Sequence, residues 1–372
     1  MPELFFHPDG GFDQSFSACP PTLDDVALTR AEAQVFARTE AWIAETHAKL
    51  RWRACRLDPA NDQQGLRVAL PRTINEKFTW RKVFDRNPLF PAVIDKIAVK
   101  DWLAAERMPL AAPRLIWQGT DPEAIPDTAL GRLAVAKAAH GWQAQLFLTP
   151  GETTLADLRA AGHRFMAHRH GWRQFEWGYG PIPPRILIEE RVRPAPGRRL
   201  EEVEVYVFGD RIERVLRIFD RFGTPTGQFW AADAEGRVRL SRDLPETAQA
   251  FDPAPLPPNW QALIRAAQQL AAPFDHIRID LLTDGESAHV GEMTLYNGGG
   301  RLAGIGADPR HPAARAWDLR RSWFLRTPQP EPALEEYRLT LRCLLDRLAP
   351  APRSGMASTA PLPSPLGSVP AT

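Results

Sequence analysis

Two carboxylates, Asp280 and Glu292, sit in HIRIDLLTDGESAHVGEMTLYNGGG, residues 276 to 300, on what read as neighbouring strands. Residues two apart in a strand share a face, so His276, Arg278, Asp280 and Leu282 group together, as do Val290, Glu292 and Thr294. A turn centred on Asp284-Gly285-Glu286-Ser287 sets Asp280 opposite Glu292. Like charges so placed repel and need a compensating cation. Arg278 is one candidate; a divalent metal is the other, since Mg²⁺ favours one or two carboxylates plus substrate phosphates. A solvated outer face is the competing reading. The YNGGGRLAGIG that follows favours chemistry, because glycine lets backbone N–H groups approach an anion closely.

Other residues could complete a phosphate site. Lys137, in RLAVAKAAHG, alternates with apolar Val135 and Leu133, and a lysine facing a core is costly unless it meets an anion. Lys96 and Lys100 fall at i and i+4 of a helix after Asp95. Glu189-Glu190 end the apolar run RILIEERV, and Glu202 and Glu204 alternate with valines in EEVEVYVF. Each also has an ordinary reading as a snorkelling lysine, a helix surface or a strand's exit to solvent. HRFMAHRHGWRQFEWGYG gathers three histidines with arginines and aromatics, able to meet a sugar or phosphate or to form a plain helix end. Its histidine spacing, without clustered Cys or acid, argues against zinc.

These residues need elements to hold them. Residues 1 to about 20 read as irregular, and residues 22 to 54, free of Gly and Pro, read as a helix. Thr73 and Glu76 have the capping-box spacing, Pro88 stops that helix, and Asp95 is placed to cap the next, KIAVKDWLAAERM. Strand candidates are APRLIWQG, RLAVAKAA, QAQLFLT, RILIEERV, EEVEVYVFG and RIERVLRIFD; TTLADLRAAGHRFMAHRHG and PNWQALIRAAQQLAAP read as helices. Mixed order with at least one hairpin argues for an α+β architecture. From Pro350 the chain is rich in Pro, Ser, Ala and Gly, the composition of a disordered tail.

The 372 residues carry a formal net charge of +1, with 44% hydrophobic and 24% charged residues. That balance offers no global pull toward nucleic acid. Three scattered cysteines make no disulfide framework or CxxC pair. The opening MPELFFHPDGG lacks a charged leader, and no run approaches the roughly 18 apolar residues of a transmembrane segment, so a cytoplasmic location is expected. GxxxxGK[ST], HEXXH, GxSxG and a strand-linked GxGxxG are all missing.

Five blocks then fall into a known order. PRTINEKFTWRKVFDRNPLFPAVIDKIAVKDWLA, LAVAKAAHG, PRILIEERV, EVYVFGDRIERVLRIFDRF and FDHIRIDLLTDG…VGEMTLYNGGG resemble the TupA-like ATP-grasp family, named for teichuronopeptide biosynthesis, over about residues 70 to 325. The resemblance implies an α+β ATP-grasp fold holding ATP between two subdomains. The expected organisation is an N-terminal helical extension (1–65), an N-terminal ATP-grasp part (66–185), a metal-bearing subdomain (186–330), a helix (331–349) and the tail (350–372). It implies an ATP- and Mg²⁺-dependent carboxylate–amine ligase working through an acyl phosphate and modifying a cell-surface polysaccharide or its precursor with an amino acid or peptide.

Residue by residue, the resemblance assigns Lys96, Lys100 and Lys137 to phosphates, Glu189, Glu190, Arg191 and Val192 to an adenine hinge, and Glu202 to ribose. Asp280, Glu292 and Thr294 would bind Mg²⁺, and Arg278 would stabilise transferring charge. His140, Arg169, Trp172, Asn297, Gly298, Gly299 and Gly300 are the substrate candidates. The chain departs from the family in three places: a glycine-rich lid shortened to His140-Gly141-Trp142, Glu204 where a Lys is usual, and Glu202 where an Asp is usual. These keep two alternatives open, a non-catalytic nucleotide-binding scaffold and a kinase of a sugar hydroxyl.

Overall fold

The computed structural model describes residues 2–15, 23, 26–57, 66–233, 235–245 and 248–349. The expected tail at 350–372 lies outside them. The N-terminal stretch differs from the expectation. Strands β1 (Leu4–Phe6) and β2 (Phe12–Gln14) pair with each other, and Phe12 pairs with Val238 far along the chain. The first 65 residues are therefore not only a helical extension. The expected single helix is two, α1 (Arg30–Thr46), started by a Thr29–Glu32 capping box, and α2 (Ala48–Leu57) after a break at His47.

Helix α3 (Ile74–Phe84) begins with the Thr73–Glu76 capping box that its spacing predicts. Asp95 does not cap one long helix. It ends α4 (Leu89–Ile94), and its carboxylate accepts from the Ile97 N–H at 2.8 Å ahead of α5 (Ala98–Ala105).

A smaller antiparallel sheet follows, from β3 (Leu115–Gly119), β4 (Ala134–Ala138), β5 (Gln145–Leu148) and β6 (Ile186–Glu190), in the order β3-β6-β4-β5. Helix α6 (Leu155–Ala167) covers one face, packing Leu158, Ala161 and Phe165 onto Ala134, Ala136, Ile186 and Ile188. Alternation sends Lys137 and Glu189 to the other face.

The larger sheet carries β7 (Glu201–Phe208), β8 (Arg211–Phe219), β9 (Thr226–Ala232), β10 (Val238–Ser241), β11 (Ala250–Phe251), β12 (His276–Thr283) and β13 (Ala288–Thr294). Its order is β1-β2-β10-β9-β8-β7-β12-β13, with β11 beside β9. Val203, Val205, Ile277, Ile279 and Leu281 bury one face against α7 (Trp260–Ala271) through Leu263, Ile264 and Leu270. The opposite face presents Glu202, Glu204, Tyr206, Arg278 and Asp280. Helix α8 (Pro332–Leu348) packs Tyr337 and Leu341 with Phe36 of α1 and Phe84 of α3 in a separate core.

One buried ion pair joins α3 to the hairpin. The Arg81 guanidinium is wholly buried and donates to Asp275 at 2.6 Å, to the His276 carbonyl at 2.9 Å and to the Leu295 carbonyl at 2.7 Å. Trp317 Nε1 donates to the other Asp275 oxygen at 2.7 Å. Removing one partner of such a pair strands a buried charge. Arg81→Met is expected to lower the unfolding free energy by about 3–5 kcal/mol, read as a urea midpoint shift. A loss under about 1 kcal/mol would show that the pair does not anchor the hairpin.

Candidate functional site

The β12–β13 turn spans residues 284 to 287, since Thr283 pairs with Ala288, and Asp280 pairs with Glu292 as the spacing predicts. The register then shifts: Leu281 pairs with Val290, leaving Gly291 as a bulge. Val290 therefore turns into the core with Leu281, and does not share the face of Glu292 and Thr294 as strict alternation implied.

On its other edge β12 sets Asp280 opposite Glu204 and Leu282 opposite Glu202. Oxygens of Glu202, Glu204 and Asp280 all lie within 4.8 Å of one another. Arg278 grips Asp280 with two hydrogen bonds of 2.6 Å and reaches the Thr294 hydroxyl at 3.3 Å. Arg221, from the turn after β8, lies 2.8 Å from Glu204 and 3.2 Å from Glu202. The Tyr206 hydroxyl donates to Glu204 at 2.8 Å, and Lys96 donates to Glu292 at 2.9 Å. Four carboxylates thus meet three directly paired cations, one more acid than cations on a largely buried face.

The energetics follow from that imbalance. Burial and the charge of Glu204 push the Glu202 carboxyl up to about 7 against the pull of Arg221. Burial, with Glu204 and Glu202, also raises Asp280 despite Arg278. Burial would raise Glu204 and Glu292 too, but Arg278 and Arg221 hold the first below the usual range, and Lys96 with Arg278 hold the second. Each Asp280 oxygen accepts one bond from Arg278 and keeps further lone-pair capacity. An all-oxygen donor set with one more acid than its paired cations fits a hard cation such as Mg²⁺.

The smaller sheet and helix α5 together add an opposing layer of cations. Lys137 and Lys100 both donate to Glu189, at 2.6 and 2.7 Å. Against burial, Lys137 and Lys100 hold that carboxyl below its ordinary value. Past Glu189 a cleft of about 560 Å³ opens between Pro113-Arg114, residues 190–196 and the hairpin tip. Glu190, Arg191 and Val192 line it; Arg114 pairs with Glu190, and the buried Nδ1 of His289, also on its wall, has no partner.

A family model described as TupA-like ATPgrasp matches residues 76–305. The chain belongs to the TupA-like ATP-grasp family. Its fold is the ATP-grasp fold. Among solved structures it is similar to the D-alanine–D-alanine ligase of Bacillus anthracis complexed with ATP, at 17% identity over 62% of this chain and 67% of that one, with a TM-score of 0.35. The ATP-grasp ligase PsnB complexed with minimal precursor shows 16% identity over 62% and 61%, at 0.33. N5-carboxyaminoimidazole synthase from Aspergillus clavatus, with ADP and 5-aminoimidazole ribonucleotide, shows 14% over 69% and 59%, at 0.36. The match spans about three fifths to two thirds of those chains. No curated protein matches.

The expected substrate residues separate. Arg169 and Trp172 are exposed, and Arg173 lies over the Trp172 ring. His140 is buried with both nitrogens engaged: Nδ1 accepts from the Arg185 N–H and Nε2 faces the His168 carbonyl. It holds its turn in place and has no ring nitrogen left for a substrate. The Asn297 amide likewise turns inward, 2.8 Å from His276 Nε2.

Gly298, Gly299 and Gly300 adopt successive φ values of 57, 72 and 79°, a left-handed path open to glycine. Lys82 donates to the Gly299 carbonyl at 2.6 Å, and a Cβ on Gly299 would lie 3.8 Å from Glu176 Oε1. Lys82 and Glu176 were not singled out from sequence, because helix α3 and a short turn bring them together. Phe175, at φ 58°, strains the backbone just before Glu176.

Burial pushes Glu176 up to about 7 from an ordinary 4.5, although Lys82 opposes it. Between those values the unfolded chain ionises first, so this group weakens the fold as pH rises, and the full cost of ~3 kcal/mol applies above the folded value. Glu176→Gln removes that cost. Chemical denaturation is expected to show the variant more stable than wild type at pH 8, with the gain gone by about pH 4.5. A pH-independent difference would contradict the raised carboxyl.

Proposed function

We propose that the protein is an ATP-dependent carboxylate–amine ligase of the ATP-grasp type. One observation supports this reading above the others: a buried carboxylate face with one more acid than cations lies beside two lysines that share a single carboxylate. Adenine would enter the cleft at Glu190 to Val192, with Glu189 at its inner end and Glu202 toward the ribose. Lys96, Lys100 and Lys137 would then exchange their carboxylate partners for phosphate oxygens, keeping every charge paired.

Asp280 and Glu292, with Glu204 beside them, would hold Mg²⁺ near Thr294. When bound, the ion neutralises phosphate charge during transfer. Arg278, still tethered to Asp280, would stabilise charge on the transferring group. The donor carboxylate takes the terminal phosphoryl group, ADP leaves, and the acceptor amine displaces phosphate to form an amide. The glycine turn Gly298–Gly300, which has open space beyond Gly298, suits the acyl end. By family analogy the substrates belong to cell-surface polysaccharide biosynthesis, and the work is done in the cytoplasm; no described helix is long and apolar enough to cross a membrane.

Hydroxylamine intercepts an acyl phosphate as a hydroxamate. Incubating the protein with Mg-ATP, hydroxylamine and each of a panel of amino acids and uronic acids is expected to give ADP and hydroxamate with at least one donor. ADP formed with a phosphorylated sugar and no hydroxamate would identify a kinase instead. Binding of ATP without any ADP across the panel would favour the scaffold.

A further inference from the structure

The turn after β4 is short, and the groups around it leave one buried donor unused. Lys96 Nζ donates to the Gly141 carbonyl and to Glu292. The His170 ring packs directly onto Gly141, where an added Cβ would fall 2.2 Å from His170 Nε2. His170 is 9% exposed. Its Nδ1 accepts the Trp142 backbone N–H at 3.3 Å, so the neutral ring carries its proton on Nε2. That Nε2 has no partner in the structure. A buried donor left unpaired normally costs about 1–3 kcal/mol, which a ligand oxygen would recover.

The strand direction says which part of a ligand could reach it. Glu190, at the cleft, pairs with Ala134, and β4 then runs away from the cleft toward Gly141. Four strand steps of about 3.3 Å carry β4 roughly 13 Å from the cleft end to Ala138, and a turn leads on to Gly141. Lys96 and Glu292 lie beside that far end. Burial, with the neighbouring His168, His140 and Lys96, lowers His170 to about 4, so the ring stays neutral near pH 7.

We propose that His170 is a phosphate-binding residue, its Nε2–H donating to an oxygen of the distal phosphates of the nucleotide. The ring takes up the loop's Trp142 N–H on one side and leaves an unpaired donor on the other, against Gly141. A histidine from the following segment thereby serves a turn too short to fold over the phosphates itself. This inference rests on the nucleotide reading of the site and adds a residue to it.

Calorimetric titration with Mg-ATP, Mg-ADP and AMP tests it on wild type, His170→Phe and His170→Gln. Phenylalanine keeps the packing but removes both the donor and the acceptor of the Trp142 N–H, and glutamine restores an N–H near the Nε2 position, so recovery in glutamine isolates the donor. The expected result is an affinity loss of about tenfold to a hundredfold for ATP and ADP in His170→Phe, little change for AMP, and recovery in His170→Gln. Equal ATP affinity in wild type and His170→Phe, or an equal loss for AMP, would overturn the assignment. ¹⁵N NMR showing the proton on Nδ1 would overturn it independently. No nucleotide binding by folded wild type would instead remove the reading beneath it.

Discussion

Like charges on adjacent strands cannot be left uncompensated in a buried place. Glu202, Glu204 and Asp280 converge within 4.8 Å on β7 and β12, and Glu292 joins them from β13. The surrounding cations answer to that constraint. Arg278 binds Asp280 in a two-bond fork from the same strand, Arg221 reaches back from beyond β8, and Lys96 arrives from the segment between α4 and α5. Glu204, an anion where the family usually has a lysine, is not free charge: two arginines and a tyrosine hydroxyl hold it.

The smaller sheet repeats the pattern with the signs exchanged. There one carboxylate, Glu189, satisfies two lysines. Neither layer balances by itself, and each bears groups that would recombine with a polyanion and a divalent cation. Positions are held from behind by ordinary packing. Helix α7 backs β7 and β12, α6 backs β4 and β6, and the Arg81–Asp275 pair fixes where the hairpin begins.

Much of this was legible in the chain. Period-two alternation located the strands that bear Lys137, Glu189, Glu204 and Asp280, and the loop length set Asp280 opposite Glu292. The bulge at Gly291 was not legible, because glycine between Val290 and Glu292 leaves a hydrophobic-polar pattern unchanged while turning Val290 to the core. Strands β1 and β2 escaped because three-residue strands carry too little periodicity, and their partner β10 lies more than 200 residues away. β9 and β10 also went unmarked, although they complete the larger sheet. Arg221, Lys82 and Glu176 reach their places through tertiary packing, for which one sequence has no local signal. His140 read as a substrate contact because its ring bonds to Arg185 and His168 are long-range.

The central claim is that the two charged layers form one Mg²⁺-nucleotide site. Calorimetric titration of ATP into the full chain, with and without magnesium, tests it most directly when repeated on Asp280→Asn and Lys137→Ala, each first shown folded by circular dichroism. The account predicts saturable binding that requires magnesium and is lost or greatly weakened in both variants. Binding that ignores magnesium, or survives both substitutions unchanged, would contradict it.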